Sequence, residues 1–374
     1  MGNRTFGILC FSTGNGGLEF NTLRLVKWMQ KRGWKIELLL RDRTAIYKKA
    51  LEEGLSVTIV PDGQSSRQDI QSIAKWVTDS ELKLIFICYN KDIKLAARYK
   101  RSKNRSIRLV YQQHMQVGVK KRDFIHTRRY KMLDAWISPL EYLKEETIEK
   151  TKVDASKIHV IPFGFDVESF QNSSWTRASA RSSFSIDRET LVIGVLGRID
   201  PKKGQDLVIR GIHELREKHG IESHLLLVGD ATINEGDAYS RELVQLISQL
   251  QLKDKVHFFG YQPDVMQFFR AIDIFAMPSH GETFGMVTLE AMAAGTPVVG
   301  TDKDGTREIL RKGKFGYLFP LNDVTLYCKQ VMAIISNDNI SSLLQAAKQE
   351  VETHYSHEEM CKKLGLLVTS LTAG

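Results

Sequence analysis

The 374-residue chain has no apolar run approaching the ~20 residues that a membrane-spanning helix needs, and it has only four cysteines. Cys10, Cys88, Cys328 and Cys361 are scattered, without the paired spacing of a zinc or redox site, so reduced thiols in a cytosolic compartment are expected. No Ser/His/Asp set and no cluster of metal ligands is visible, which argues against hydrolases and metalloenzymes. The opening stretch MGNRTFGILCFSTGNGG has too short an apolar core for a secretory signal, and Phe6 stands where a myristoylation signal carries Ser or Thr. Its glycines follow neither the G-x-G-x-x-G order of a dinucleotide fold nor the Lys-Ser/Thr ending of a phosphate loop.

What is present describes a soluble globular protein: 42% hydrophobic residues, 26% charged, and a length that fits two domains of roughly 150 to 200 residues. The net charge of +9 is unevenly spread. Residues 1–165 hold 31 Lys and Arg against 17 Asp and Glu, a net +14, and the remainder is net −5. RYKRSKNRSIR (98–108) and KKRDFIHTRRYK (120–131) are the densest basic runs. They read either as solvated faces or as attraction to something anionic, such as a membrane leaflet or a phosphorylated lipid or glycan. They lack a recognisable nucleic-acid-binding module, so no nucleic-acid partner is expected.

Short β-rich runs alternate with helical stretches along the whole chain. Seven such runs fall at 6–12, 34–40, 56–61, 82–89, 107–113, 135–139 and 158–162; six more fall at 191–197, 224–229, 255–260, 273–278, 297–300 and 316–320. Near-continuous apolar strands between helices predict parallel sheets covered on both faces. The resulting class is α/β, with two doubly wound, Rossmann-like domains in tandem facing a central cleft, and ligands at the carboxyl ends of the strands. The boundaries read as an N-terminal domain over 1–170, a Ser-rich linker over 171–190, a C-terminal domain over 191–355 and a final helix over 356–374.

The candidate site residues sit after strands. HGETFGMVTLEAMAAGTPVVG (280–300) places Glu282 and Glu290 in an otherwise almost wholly apolar run. Helix formers from Phe284 to Ala294, closed by Gly295 and Pro297, predict a helix of roughly ten residues. Being apolar on every face apart from Thr288 and Glu290, that helix is expected to be buried, making Glu290 an interior carboxylate in need of donors. Glu282 precedes the helix, and free N–H groups around Phe284, Gly285 and Met286 form an anion site. In GVLGRIDPKKGQDLVI, Arg198 and Lys203 flank a turn at a strand end, where a guanidinium and an ammonium suit a diphosphate; alone, the segment also reads as a solvated loop. FSTGNGGLEF sets Gly14, Gly16 and Gly17 in a tight turn that is either a plain strand-to-helix connection or a place where backbone meets a ligand. His114, in YQQHMQVG, is either structural or a hydrogen-bonding partner for a substrate hydroxyl.

Taken together these segments resemble the family-4 glycosyltransferases, retaining enzymes of the GT-B fold. GETFGMVTLEAMAAGTPVV is similar to that family's glutamate-seven-residues-glutamate signature, GRIDPKKGQD to its Gly-Arg-(four residues)-Lys-Gly segment and GGLE to its glycine loop. IHVIPFGFDVESF looks like its interdomain strand end and DGTREIL like its downstream Gly-(two residues)-Glu element; the matches run in order from about residue 6 to 355. The resemblance implies that Arg198 and Lys203 hold a donor diphosphate and that Glu282 meets the donor sugar. It implies that backbone N–H groups of Phe284, Gly285 and Met286 contact phosphate or sugar, and that Glu290 accepts from the ribose. Gly16 and Gly17 would approach the donor phosphate, His114 would lie by the transferred sugar as the second catalytic candidate beside Glu282, and the base would lie along the turn holding Tyr261 and Gln262. The final helix of this fold usually crosses back to the N-terminal domain. Phe163 is a departure, since many members carry Asn there.

The implied activity is metal-independent, cofactor-free transfer of a sugar from a UDP- or GDP-sugar to a glycan or lipid-linked acceptor. Lys120, Lys121 and Arg122 are the candidate acceptor or anionic-membrane patch, on a cytoplasmic protein at the inner face of the membrane. A sugar-nucleotide epimerase, a glycoside phosphorylase and a non-catalytic nucleotide-sugar-binding partner stay open as alternatives.

Overall fold

The structure, a computed structural model, describes residues 4–231 and 238–373; the ends of the expected domains at residues 1 and 374 lie outside them. The chain forms two compact units, residues 1–164 with 357–374 and residues 165–356. In the first, β1 (Thr5–Cys10), β2 (Lys35–Arg41), β3 (Val57–Val60), β4 (Leu84–Ile87), β5 (Arg108–Gln112), β6 (Ala135–Ser138) and β7 (Ile158–Val160) lie in the order β3-β2-β1-β4-β5-β6-β7. In the second, β8 (Leu191–Leu196), β9 (Ser223–Val228), β10 (Val256–Phe259), β11 (Ile274–Met277), β12 (Val298–Thr301) and β13 (Tyr317–Phe319) lie in the order β10-β9-β8-β11-β12-β13. Among the described residues every strand pairing is parallel, and the thirteen strands fall within or beside the apolar runs that predicted them.

The period of two along a strand decides which face each side chain enters. In β1, Phe6, Ile8 and Cys10 join one apolar layer, while Leu9 and the following Phe11 join the other. The first layer is covered by the helix Gly17–Lys31, through Leu23, Val26 and Met29, and by the helix His357–Thr372, through Met360, Cys361, Leu364 and Val368. The second is covered by the helix Ser66–Asp79, through Ile73, Trp76 and Val77. Each such aliphatic or aromatic side chain contributes about 1.5–3 kcal/mol by leaving water. The second unit repeats the scheme: Ile193 and Val195 of β8 pack on Leu207, Val208 and Ile212 of the helix Gln205–His219. Among the described residues no helix is long and apolar enough to cross a membrane.

The Ser-rich interval 171–190 is not a linker. It holds the helix Arg177–Ser183, follows the helix Val167–Gln171, and belongs with both of them to the second unit. The polarity that suggested a loop serves local structure instead. The Thr176 hydroxyl caps the helix by accepting from the Ser179 N–H at 3.1 Å, and Arg181 is buried to 1% exposure. That guanidinium donates to the carbonyls of Ala271, Asp187, Arg188 and Thr190 and to Asp273 Oδ2 at 2.7 Å. Asp273 also accepts from the Val192 N–H at the start of β8, so one buried cation ties the interval to the sheet. Replacing Arg181 with Met should therefore destabilise the second unit by about 3 kcal/mol, because four carbonyls and a carboxylate lose their donors at once. Urea unfolding should place Arg181→Lys between the two, since an ammonium cannot reproduce the planar set of donors.

Candidate functional site

In the second unit the strand order reverses between β8 and β11, so successive crossovers leave in opposite directions and open a gap at the strands' carboxyl ends. The segments after these two strands, 197–204 and 278–285, are fastened to each other. Gly204 has φ +68°, and a Cβ there would lie 2.4 Å from the Pro278 carbonyl oxygen, so no other residue fits. The His280 N–H donates to the Lys202 carbonyl at 2.8 Å. From the other side the Thr301 hydroxyl donates to the Ser279 carbonyl, Lys303 Nζ to the His280 carbonyl and the Gly305 N–H to the Glu282 carbonyl.

This pinned frame brings together several of the sequence candidates. Lys203 Nζ lies 2.7 Å from Glu282 Oε2, and both side chains are half-buried. Arg198 is exposed, and its carbonyl accepts from Gln205 Nε2 at 2.8 Å. Gln205 is fully buried, and its Oε1 has no partner among the described residues. Nothing in the sequence singled it out; the signal was only its place in PKKGQD, one residue after the required glycine.

The expected helix begins two residues later than Phe284, at Met286, because Gly285 takes φ +96° as its cap. Phe284 is core: 5% exposed, with its ring edge-on to Tyr355. The N–H groups of Met286 and Val287, in the first turn, have no acceptor among the described residues and carry the positive end of the helix dipole. Glu290, one turn beyond Met286, is half-buried rather than interior. Leu289, Ala291, Met292 and Ala293 take the buried side, leaving Met286, Val287 and Glu290 partly exposed. Tyr261 and Gln262 follow β10, at the sheet's edge beyond β9, and Tyr261 is 72% exposed.

The first unit has its own reversal, between β1 and β4. After β1 the loop is organised by Glu19, which the sequence reading passed over. Its carboxylate accepts from the Ser12 hydroxyl and, at 2.8 Å, from the Gly16 N–H, while a Cβ on Gly14 would come within 2.8 Å of it. The Gly16 N–H is thus engaged within the loop and not offered to a ligand, whereas the space around Gly17 is open. His114 lies two residues beyond β5 and stacks on Phe163, ring centroids 4.9 Å apart, so the family departure at 163 is that histidine's platform. Its Nε2 edge is enclosed and has no hydrogen-bond partner among the described residues, and burial lowers its pKa to about 3, leaving a neutral ring. Lys120 is exposed, the Lys121 N–H donates to the Lys150 carbonyl, and the Arg122 guanidinium donates to the Glu149 carbonyl at 3.0 Å. Beside them Val119, Phe124 and Ile125 are 75%, 75% and 58% exposed. Among the described residues no three His, Cys, Asp or Glu side chains converge as a metal-ligand set.

Residues 176–351 match the family described as Glycosyl transferases group 1, and residues 15–169 match Glycosyltransferase Family 4. The chain belongs to the family-4 glycosyltransferases. Among curated relatives, the D-inositol 3-phosphate glycosyltransferase of Mycobacterium sp. (strain KMS) is 31% identical over 205 residues, 54% of this chain and 45% of the relative. That of Actinosynnema mirum is 37% identical over 169 residues, 44% of this chain and 40% of the relative. The chain thus spans less than half the length of these curated relatives. Among solved structures, Anabaena Alr3699/HepE in complex with UDP superposes with a TM-score of 0.86 at 22% identity, covering 98% of this chain and 100% of that one. A glycosyltransferase from Rickettsia africae ESF-5 superposes with a TM-score of 0.88 at 18% identity, covering 99% of each chain. The two parallel sheets are those of the GT-B fold of this family.

The enclosed His114 ring makes a stability prediction. Its folded pKa is depressed below the unfolded value of about 6.5, so between pH 6.5 and 3 the unfolded chain binds the extra proton and folding stability falls as pH falls. His114→Phe keeps the stack on Phe163 and removes that proton. Between pH 6.5 and 5 the variant should lose less stability than the parent by on the order of 1 kcal/mol, measured by urea unfolding at each pH.

Proposed function

We propose that the protein transfers a sugar from a nucleotide diphosphate sugar, UDP-linked in the first instance, to a glycan or lipid-linked acceptor, with retention and without a divalent metal. The observation that carries this reading is the grouping, at one strand-order reversal, of Arg198, the Lys203–Glu282 pair and the free first-turn N–H groups of Met286 and Val287. A diphosphate suits such a place: the two cations and the helix start supply fixed positive charge where the leaving group gains negative charge. Support for UDP comes from Anabaena Alr3699/HepE, solved with UDP and with UDP-glucose. On this reading a donor phosphate takes Lys203 from Glu282, and the freed carboxylate accepts from the sugar's hydroxyls. Glu290, one turn along the same helix, accepts from the ribose.

The bond from the anomeric carbon to the diphosphate oxygen breaks as the bond to the acceptor oxygen forms on the same face. The departing phosphate takes the acceptor's proton, which requires no protein nucleophile. The acceptor belongs to the basic first unit, and the exposed Phe124 and Ile125 beside Lys120 and Arg122 favour an acceptor met at the inner face of the cytoplasmic membrane.

A thermal-shift panel of nucleotide sugars tests the donor, with transfer assayed alongside. UDP-sugars should raise the melting temperature, Glu282→Ala and Lys203→Ala should each lower kcat by a factor of about 10²–10³, and EDTA should leave the rate unchanged. No stabilisation by UDP- or GDP-sugars together with undiminished transfer by Glu282→Ala would end the proposal. For the membrane, Phe124→Ser with Ile125→Ser should weaken sedimentation with phosphatidylglycerol vesicles, and added salt should weaken it further.

A further inference from the structure

The first unit contains a cleft of ≈ 470 Å³. Phe11, just after β1, and residues 90–93, just after β4, line it, so it opens where the strand order reverses. Arg41 forms another wall: both Asp69 oxygens hold its guanidinium, at 2.9 and 3.1 Å, over the Phe11 ring at 4.3 Å. The helix Phe124–Tyr130 supplies His126, Arg129 and Tyr130, and Lys121 precedes it.

The charge of this cleft is out of balance. Arg41 is cancelled by Asp69, and His126 is engaged by Asp123. Asp92, 3% exposed, accepts the Phe11 N–H at 2.7 Å, and desolvation raises its pKa to about 7, so near neutral pH it is only partly ionised and offsets less than one charge. Lys91, Lys94, Lys121 and Arg129 are left, none of them in an ion pair among the described residues. Other cations of the same unit are partnered, Lys100 by Asp134 and Lys150 by Glu146, so carboxylates are at hand where pairing is used. Cations converging on one concave surface without counter-charge repel one another and concentrate an anion there.

We propose that this cleft takes the acceptor by a phosphate-type group, held by Lys91, Lys94, Lys121 and Arg129, with the Asp92 carboxyl beside it meeting a hydroxyl of the same molecule. This rests on the reading that the first unit holds the acceptor, and it narrows the acceptor to phosphorylated polyols or sugars. A guanidinium grips two phosphate oxygens at once, and three ammonium groups complete the neutralisation. The phosphate has two sources, a soluble sugar phosphate or a lipid headgroup, and they are separable by experiment.

Calorimetric titration of the full chain with inorganic phosphate, a hexose 6-phosphate and the neutral hexose reads the cleft directly, while UDP titration reads the donor side independently. Both phosphates should bind and the neutral hexose should not. Lys94→Ala with Arg129→Ala should weaken phosphate binding roughly a hundredfold, with UDP affinity and melting temperature kept. Phosphate binding that survives the double variant, or equal binding of the neutral hexose, overturns the proposal. Phosphate binding lost in the double variant while wild-type protein ignores UDP supports the cleft and overturns the transfer reading instead. Competition of the hexose 6-phosphate by phosphatidylglycerol vesicles, but not by phosphatidylcholine vesicles, assigns the headgroup source; absence of competition assigns the soluble one.

Discussion

The reversal of strand order inside each parallel sheet is the constraint on which the rest depends. Parallel strands must be joined by crossovers of one hand, so a sheet that grows outward from its middle sends successive connections to opposite faces. At β1 and β4, and again at β8 and β11, successive connections therefore part and leave a gap at the carboxyl ends of the strands. The Glu19 loop and Asp92 lie at the first of these places, and Arg198, Lys203 and Glu282 lie at the second. The core beneath sets only the rigidity with which those residues are held, through strands such as Leu84–Ile87 that are buried along their whole length.

The two gaps are fixed in different ways. Gly204 approaches the Pro278 carbonyl too closely for a Cβ, which holds two backbone segments to a single arrangement, whereas the loop after β1 is held by the Glu19 carboxylate on the Ser12 hydroxyl and the Gly16 N–H. The side chains placed on these frames differ in how they satisfy charge. Lys203 and Glu282 satisfy each other at 2.7 Å, an internal pair that a phosphate would have to displace. Such a pair costs binding energy to open but keeps both groups aligned while the site is empty, whereas the cations around Asp92 have no such stand-in. The first arrangement favours discrimination between ligands; the second favours capture of any suitably placed anion.

The sequence carried the architecture well because a buried parallel strand has one simple signature, an apolar run between helices. The thirteen strands among the described residues obey it, including three-residue examples such as Tyr317–Phe319. It failed where polarity had a structural use. The interval after Gln171 looked like a linker because Ser and Thr serve equally as loop residues and as helix caps, and because a buried arginine cannot be told from an exposed one until its donors find carbonyls and a carboxylate. Glu290 failed in the opposite direction: a helix with almost no polar residues predicts burial on all sides, yet its Met286, Val287 and Glu290 edge is partly open.

The site was legible to the extent that its residues are adjacent in sequence to strand ends. Arg198, Lys203 and Glu282 were visible for that reason, although the ion pair joining two of them, separated by 79 positions, was not. Gln205 and Glu19 were hidden because their work is done on backbone groups, holding the Arg198 carbonyl and the Gly16 N–H, and such roles leave no pattern of residue types. The cleft around Asp92 was hidden for a further reason. Its cations come from the β4 connection, which the sequence reading did not single out, and from the segment before and within Phe124–Tyr130, a basic run that read either as a solvated face or as attraction to something anionic. Only the fold brings them to one concave surface, and only the ion-pair inventory around them separates a surplus of charge from a merely basic face.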